Sequence, residues 1–191
     1  MLAGLCLISL IAGSIAAQSL RDFVPVGVRY QPDADAKARQ RDLEEMRRLR
    51  FNVVTVVKEN QPPILSYIDR LLAGAPYPEV LTAAAETAAV IPIGGTRDDV
   101  TLEAWDALAR GARVFLFGDW ALLQKNLDGL TGAAAFAEAV TRNAALYAAL
   151  TPRPPGDLRI HAPEADVEAR LLESSDALLL VALNRATLPR A

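Results

Sequence analysis

Between Asp33 and Arg50 the apolar residues Ala36, Leu43, Met46 and Leu49 recur near helical spacing, and charges fill the other face. This predicts a helix, reinforced by the acid-then-base pairs Asp35–Arg39 and Glu44–Arg48 at i,i+4. Residues 23–32 (FVPVGVRYQP) predict an extended opening strand. Phe51–Val57 (FNVVTVV) is dense in β-branched residues and reads as a buried parallel strand. After Pro62-Pro63, Ile64–Ala73 places Ile64, Leu65, Ile68, Leu71 and Leu72 on one helical face, with Gly74 as the stop. An alanine-rich helix is predicted over Glu79–Ala89. Ala89–Ile93 reads as a short strand. Its Pro92 removes a ladder hydrogen bond, which puts the strand at an edge or ends it early.

Gly94-Gly95 turns the chain. Thr101 suits the N-cap of a helix running to Arg110, with Gly111 as its stop. Arg113–Phe117 is a second buried strand, ending in Gly118-Asp119-Trp120. Thr131–Leu150 predicts one long helix, and Thr151–Gly156 (TPRPPG) a linker. Beyond it the period becomes two. Leu158–His161 and Val167–Leu171 alternate, and Ala177–Leu183 is continuously apolar. Three antiparallel strands are expected there, with a hairpin turn at Glu173–Asp176. The whole order predicts an α/β domain over 18–151, its parallel strands joined by right-handed crossovers, and a small antiparallel β segment over 157–191.

The first 17 residues belong to neither. From Leu2 to Ala17 no residue is charged, and Ser14 and Ala16 are small at the −3 and −1 spacing of a signal peptidase site. Cleavage is expected after Ala16, with Ala17 the near alternative, and the product is expected to be secreted or periplasmic. The apolar run breaks at Gln18, Arg21 and Asp22, short of the ~20 residues a membrane span needs.

Composition narrows the chemistry. Cys6, the one cysteine, lies in the segment to be removed, so the mature chain has no thiol for a disulfide, a nucleophile or a zinc site. His161 is the one histidine, which leaves no multi-histidine metal centre. A net charge of −3 without a basic stripe argues against nucleic acid. Gly94-Gly95-Thr96 stands before a helix, yet neither G-x-G-x-x-G nor a Walker pattern occurs, so no cofactor is expected.

Three stretches carry a family likeness. PVGVRYQP followed by RDLEEMRRLRFNVVTV, LEAWDALARGARVFLFGDW, and VEARLLESSDALLLVALNR together resemble secreted glycoside hydrolases of the β-galactosidase type, family 42 and its relatives. The resemblance covers residues 23–57 and roughly 98–185. It implies the first and last units of a (β/α)₈ barrel followed by the opening of a small β domain. Such a barrel typically takes ~250 residues, so a reduced or partial barrel is expected here. The relatives' first helix usually ends in glycine where this chain has Arg50.

Glycoside hydrolysis needs two carboxyl groups held about 5–10 Å apart. Neither glutamate of the resembled family has a recognisable counterpart, since Val90-Ile91-Pro92-Ile93-Gly94 holds no acid where the seventh-strand one would stand. Two other acids follow predicted strands, Glu59 after Phe51–Val57 and Asp119 after Arg113–Phe117, and parallel strands would bring both to one rim. Lys58 could hold Glu59 ionised, and Asn60 could bind a hydroxyl. Trp120 is either a flat platform for a sugar ring or a cap on the core. Two functions follow: a glycoside-hydrolase-like protein acting on or binding a glycan, or a non-catalytic secreted or envelope module that binds carbohydrate or a protein partner.

Overall fold

The computed structural model describes residues 23–56, 64–75, 88–154 and 167–185. In chain order the elements are β1 (Val26–Arg29), α1 (Ala36–Arg48), β2 (Val53–Val56), β3 (Ile64–Tyr67), α2 (Ile68–Leu72), β4 (Ala88–Ile91), α3 (Arg97–Ala109), β5 (Val114–Asp119), α4 (Trp120–Leu123), α5 (Leu127–Arg142), α6 (Ala144–Ala149), β6 (Thr151–Pro152), β7 (Val167–Glu173) and β8 (Leu178–Asn184). They form a five-stranded sheet, β3-β2-β1-β5-β4, and a three-stranded one, β6-β7-β8. In the first, β2, β1, β5 and β4 are parallel neighbours, and β3 pairs antiparallel with β2. The second is antiparallel throughout.

The α/β class and the small antiparallel unit are as expected. So is the barrel-like character, and strand order shows why. The late strand β5 lies beside β1, the first. A closed barrel has that adjacency where its last strand meets its first, and β4-β5-β1-β2 keeps the same cyclic order. Among the described residues this sheet is open, with β3 and β4 at its edges.

The strand β1 is four residues long and buried between two parallel neighbours. Gly27 permits the approach of β2, because a Cβ there would stand 1.9 Å from the carbonyl oxygen of Val53. Asn52 extends the pairing beyond the backbone. Its Oδ1 accepts from Val26 N–H, and its Nδ2 donates to Val24 C=O, each at 2.8 Å. Past β1, Tyr30 N–H donates to Thr55 C=O, and the Tyr30 hydroxyl reaches Asp42 on α1 at 3.2 Å. Burial, with the Asp42 carboxylate beside it, pushes the Tyr30 phenol well above its ordinary range.

The amphipathic helix α1 is capped by Asp35, whose carboxylate accepts from the Lys37 and Ala38 N–H groups. Its C-terminus closes in a Schellman motif: Phe51 N–H donates to Met46 C=O, and Arg50 N–H to Arg47 C=O. Phe51 and Met46, the hydrophobic pair of that motif, are both buried. The motif needs a left-handed residue, and Arg50 supplies it at φ 69°, alone among the described non-glycine residues. The same closure after α2 and α3 uses Gly74 and Gly111, where no Cβ opposes it. The Arg50 guanidinium meets Glu138 on α5 at 3.0 Å. Hydrogen bonds from Arg50 and Arg142 hold the Glu138 carboxyl below its usual range.

Several expectations are corrected. Ile64–Ala73 is not one helix: Ile64–Tyr67 pairs with β2, and only Ile68–Leu72 is helical. The β-edge of β2 outweighs the helical spacing of those residues, because backbone groups there need partners. Thr101 is not the N-cap of α3. Thr96 is, in a reciprocal capping box with Asp99, and the Thr101 hydroxyl bonds back to Arg97 C=O. Thr131–Leu150 breaks at Asn143 into α5 and α6. Thr151-Pro152, expected to be linker, is strand β6. The strand before Pro92 does lie at an edge and stops at Ile91. The signal segment, the helix over Glu79–Ala89, the strand over Leu158–His161 and the Lys58-Glu59-Asn60 group lie wholly or mainly outside the described residues.

The core centres on the α5 face of β5. Phe136 packs against Phe115, Phe117 and Trp105 at ring distances of 4.9, 6.0 and 5.1 Å. The small sheet docks on α3 through Leu172, Val181 and Leu183. A charge network fixes that dock. The buried Asp106 carboxylate of α3 receives Arg110 and Arg185, each at 2.7 Å, and Arg185 also reaches Glu103 and Glu168. Removing the carboxylate would leave two guanidinium groups beside apolar surface without their shared partner.

Arg50 yields a test. A left-handed Cβ costs roughly 1 kcal/mol, and the exposed Arg50–Glu138 pair, screened by solvent, offsets little of it. Arg50→Gly is therefore expected to be at least as stable as the parent chain and about 1 kcal/mol more stable than Arg50→Ala. Urea unfolding midpoints check the order of the three.

Candidate functional site

In a parallel sheet a site is sought at the C-terminal ends of the strands. Here β2 and β5 both border β1 and run the same way, so they end at one rim. They are not neighbours, however. β1 separates them by two strand spacings, about 10 Å between backbones. Glu59, Lys58 and Asn60 lie outside the described residues, so of the proposed rim acids the structure places Asp119 alone.

Asp119 already has a structural task. It ends β5 and caps α4, its carboxylate accepting from Ala121 N–H at 3.0 Å. In register it stands opposite Arg29 of β1. Trp120, offered as a sugar platform, is corrected: it is 3% exposed and packs edge-on against Phe51, ring centres 6.4 Å apart. Its indole Nε1 has no hydrogen-bond partner among the described residues. Just before Trp120, β5 carries a bulge. Gly27 pairs with Leu116 and Arg29 with Asp119, so Phe117 and Gly118 together oppose Val28. Gly118 takes φ 37° within it. Trp120 follows as the first residue of α4 and joins Phe115 and Phe117 in the core. A glycine inside an apolar strand was the available sign of this bulge.

The turn beside β5 is equally committed. The Asn126 side chain donates to the Ile93 and Gly95 carbonyls and accepts from Gly129 N–H, which caps α5. The first turn of α3 carries Asp98 and Asp99, so the Gly94-Gly95-Thr96 turn opposes a phosphate with negative charge. Among the described residues no group of three or more potential ligands could hold a metal ion, and no helix is long and apolar enough to cross a membrane.

A different surface is more open. Between α3, α6 and β8 lies a groove of about 430 Å³, walled by Trp105, Tyr147, Leu102 and β8 from Leu179 to Asn184, with Asp98 and Thr101 at its side. Leu178 and Leu180 of β8 are 65% and 54% exposed. Among the described residues, in the order β6-β7-β8, this strand is the edge. The sequence marks it as the run Ala177–Leu183, apolar at every position although one face of a two-layer dock buries only alternate residues.

No family model matches the chain, and neither a curated protein nor a solved structure matches it.

The two tryptophans separate the sites by experiment. In Trp105→Phe the remaining emission comes from Trp120 and is expected to resist acrylamide quenching until the protein unfolds. The parent chain, with half-buried Trp105, is expected to quench more. Equal quenching of the two would place Trp120 at the surface.

Proposed function

We propose that this chain is an exported, non-catalytic module of glycoside-hydrolase-like architecture that works by binding a protein partner along β8. One observation carries the choice of binding over cleavage. Asp119 and Trp120, the described rim residues suited to sugar chemistry, are taken up by a helix cap and by the core, while the apolar edge of β8 stands open. Groups already bound to the protein's own backbone are poorly placed to exchange protons with a substrate. An extended chain beside an edge strand gains main-chain hydrogen bonds, and neighbouring pockets take its side chains. The groove at Trp105 and Tyr147 offers such a pocket. Export is supported by the uncharged apolar N-terminus and the small residues before Ala17.

The alternative, cleavage of a glycan, draws on the β4-β5-β1-β2 order. The two readings part experimentally. Protein recovered after export is expected to begin at Ala17 or Gln18. It is expected to release no aryl alcohol from a panel of aryl glycosides. A synthetic peptide copying residues 177–185 is expected to shift the intrinsic fluorescence saturably, and Trp105→Phe to abolish the shift. Turnover of any aryl glycoside that Asp119→Asn removes would overturn the binding reading in favour of catalysis.

A further inference from the structure

The open strand has a specific geometry. β7 and β8 pair over seven positions without a register break, from Glu173↔Leu178 to Val167↔Asn184. Ser174 N–H donates to Ala177 C=O at 2.9 Å, which makes that pair a hydrogen-bonded one. Hydrogen-bonded and non-bonded pairs alternate along an antiparallel ladder. The bonded pairs are therefore Leu172/Leu179, Arg170/Val181 and Glu168/Leu183. The bond from Arg153 N–H to Leu171 C=O, on the far side of β7, agrees with this phase. It follows that Leu178, Leu180 and Ala182 turn their N–H and C=O groups away from β7, toward the open edge.

Edge strands are ordinarily guarded by lysine, proline, a bulge or an inward charge. From Ala177 to Asn184 this strand has none of them. The guarded strands of the same molecule show the contrast: β4 ends against Pro92, and β6 is two residues long.

We infer that the partner of this edge is a second copy of the chain, whose own β8 adds antiparallel to the first; this rests on the reading of β8 as a binding edge. A two-fold axis through Val181 makes the strand complementary to itself. Leu180 then exchanges both main-chain bonds with Ala182 of the partner subunit, and Ala182 does so with the partner's Leu180. Large side chains meet small ones at both positions. Leu178 comes opposite Asn184 of the partner subunit. No other antiparallel register centred on a β8 residue overlaps the whole strand. The two small sheets become one of six strands, with both open edges removed. The Asp106–Arg185 network holds β8 on α3 beforehand, so little ordering is lost on association.

Sedimentation of the full chain over a concentration series tests this. The parent protein is expected to be a dimer. Ala182→Pro removes an outward N–H that β7 does not use, and Leu180→Lys places a charge at the pairing face. Both are expected to abolish the dimer while keeping the parent circular dichroism. In the dimer, amide exchange at Leu180 and Ala182 is expected to be slow and to accelerate on dilution. Should Ala182→Pro fail to fold, Leu180→Lys and the exchange data decide. A monomer throughout the series, or a dimer that persists in both variants, overturns the inference. A monomer that still answers the 177–185 peptide removes only the self-pairing, whereas failure of both measurements removes the binding edge as well.

Discussion

The large sheet depends on satisfying the backbone of β1. A strand with parallel neighbours on both sides has no access to water, so each of its N–H and C=O groups must find a protein partner. Four residues provide few, and the chain makes up the shortfall with Asn52. Its backbone N–H donates to Val26 C=O, its C=O accepts from Ile68 N–H, and its side chain pairs with Val26 N–H and Val24 C=O. One residue thus joins β1, β2 and the start of α2. The same junction explains two neighbours. Gly27 lets β2 come close enough for those bonds, and Arg50 accepts a left-handed backbone so that Phe51 and Asn52 leave α1 in the right direction. The strain at Arg50 is the cost of placing Asn52.

How much of this was legible in the sequence follows from which forces are local. The α1 helix was readable because Asp35, the apolar stripe and the acid–base pairs act within a few residues. The β5 strand was readable from its apolar, aromatic-rich run. Ile64–Tyr67 was misread because its apolar spacing suits a helix, and only the open side of β2 makes it a strand. Thr101 was misread as a cap because two threonines precede the apolar stripe. Asp99, three residues after Thr96, decides between them by completing the capping box. Asn52 was invisible, since nothing in its neighbourhood reports that a strand 26 residues earlier needs two more bonds.

The candidate site was less legible than the fold. Asp119 and Trp120 stood where an α/β enzyme keeps its chemistry, and position along the strand was the whole argument for them. The bulge at Phe117–Gly118 shifts the register of Asp119, and the helix that starts at Trp120 then carries the indole into the core. The rule that puts function at strand ends fixes the neighbourhood of a side chain but leaves its direction open. Direction comes from how the chain leaves the strand, and at β5 that follows a bulge set by pairing with the distant strand β1.

The small sheet inverts the logic of the large one. In β1 the backbone is bonded from both sides and by the Asn52 side chain, with a left-handed arginine leading into that junction. In β8 the hydrogen-bonded phase leaves Leu178, Leu180 and Ala182 facing outward, on a strand with no guard residue. Rigidity makes that edge consequential. A loosely held strand could twist its edge away or fray, and would gain little from a partner after the entropy of ordering is charged against it. β8 is held along its length by β7 and anchored at its end by Arg185 on the buried Asp106. Its outward groups are therefore held at a strand's regular spacing, the arrangement on which the proposed pairing rests. The charge network around Asp106 is thus more than a fastening: it presents the edge.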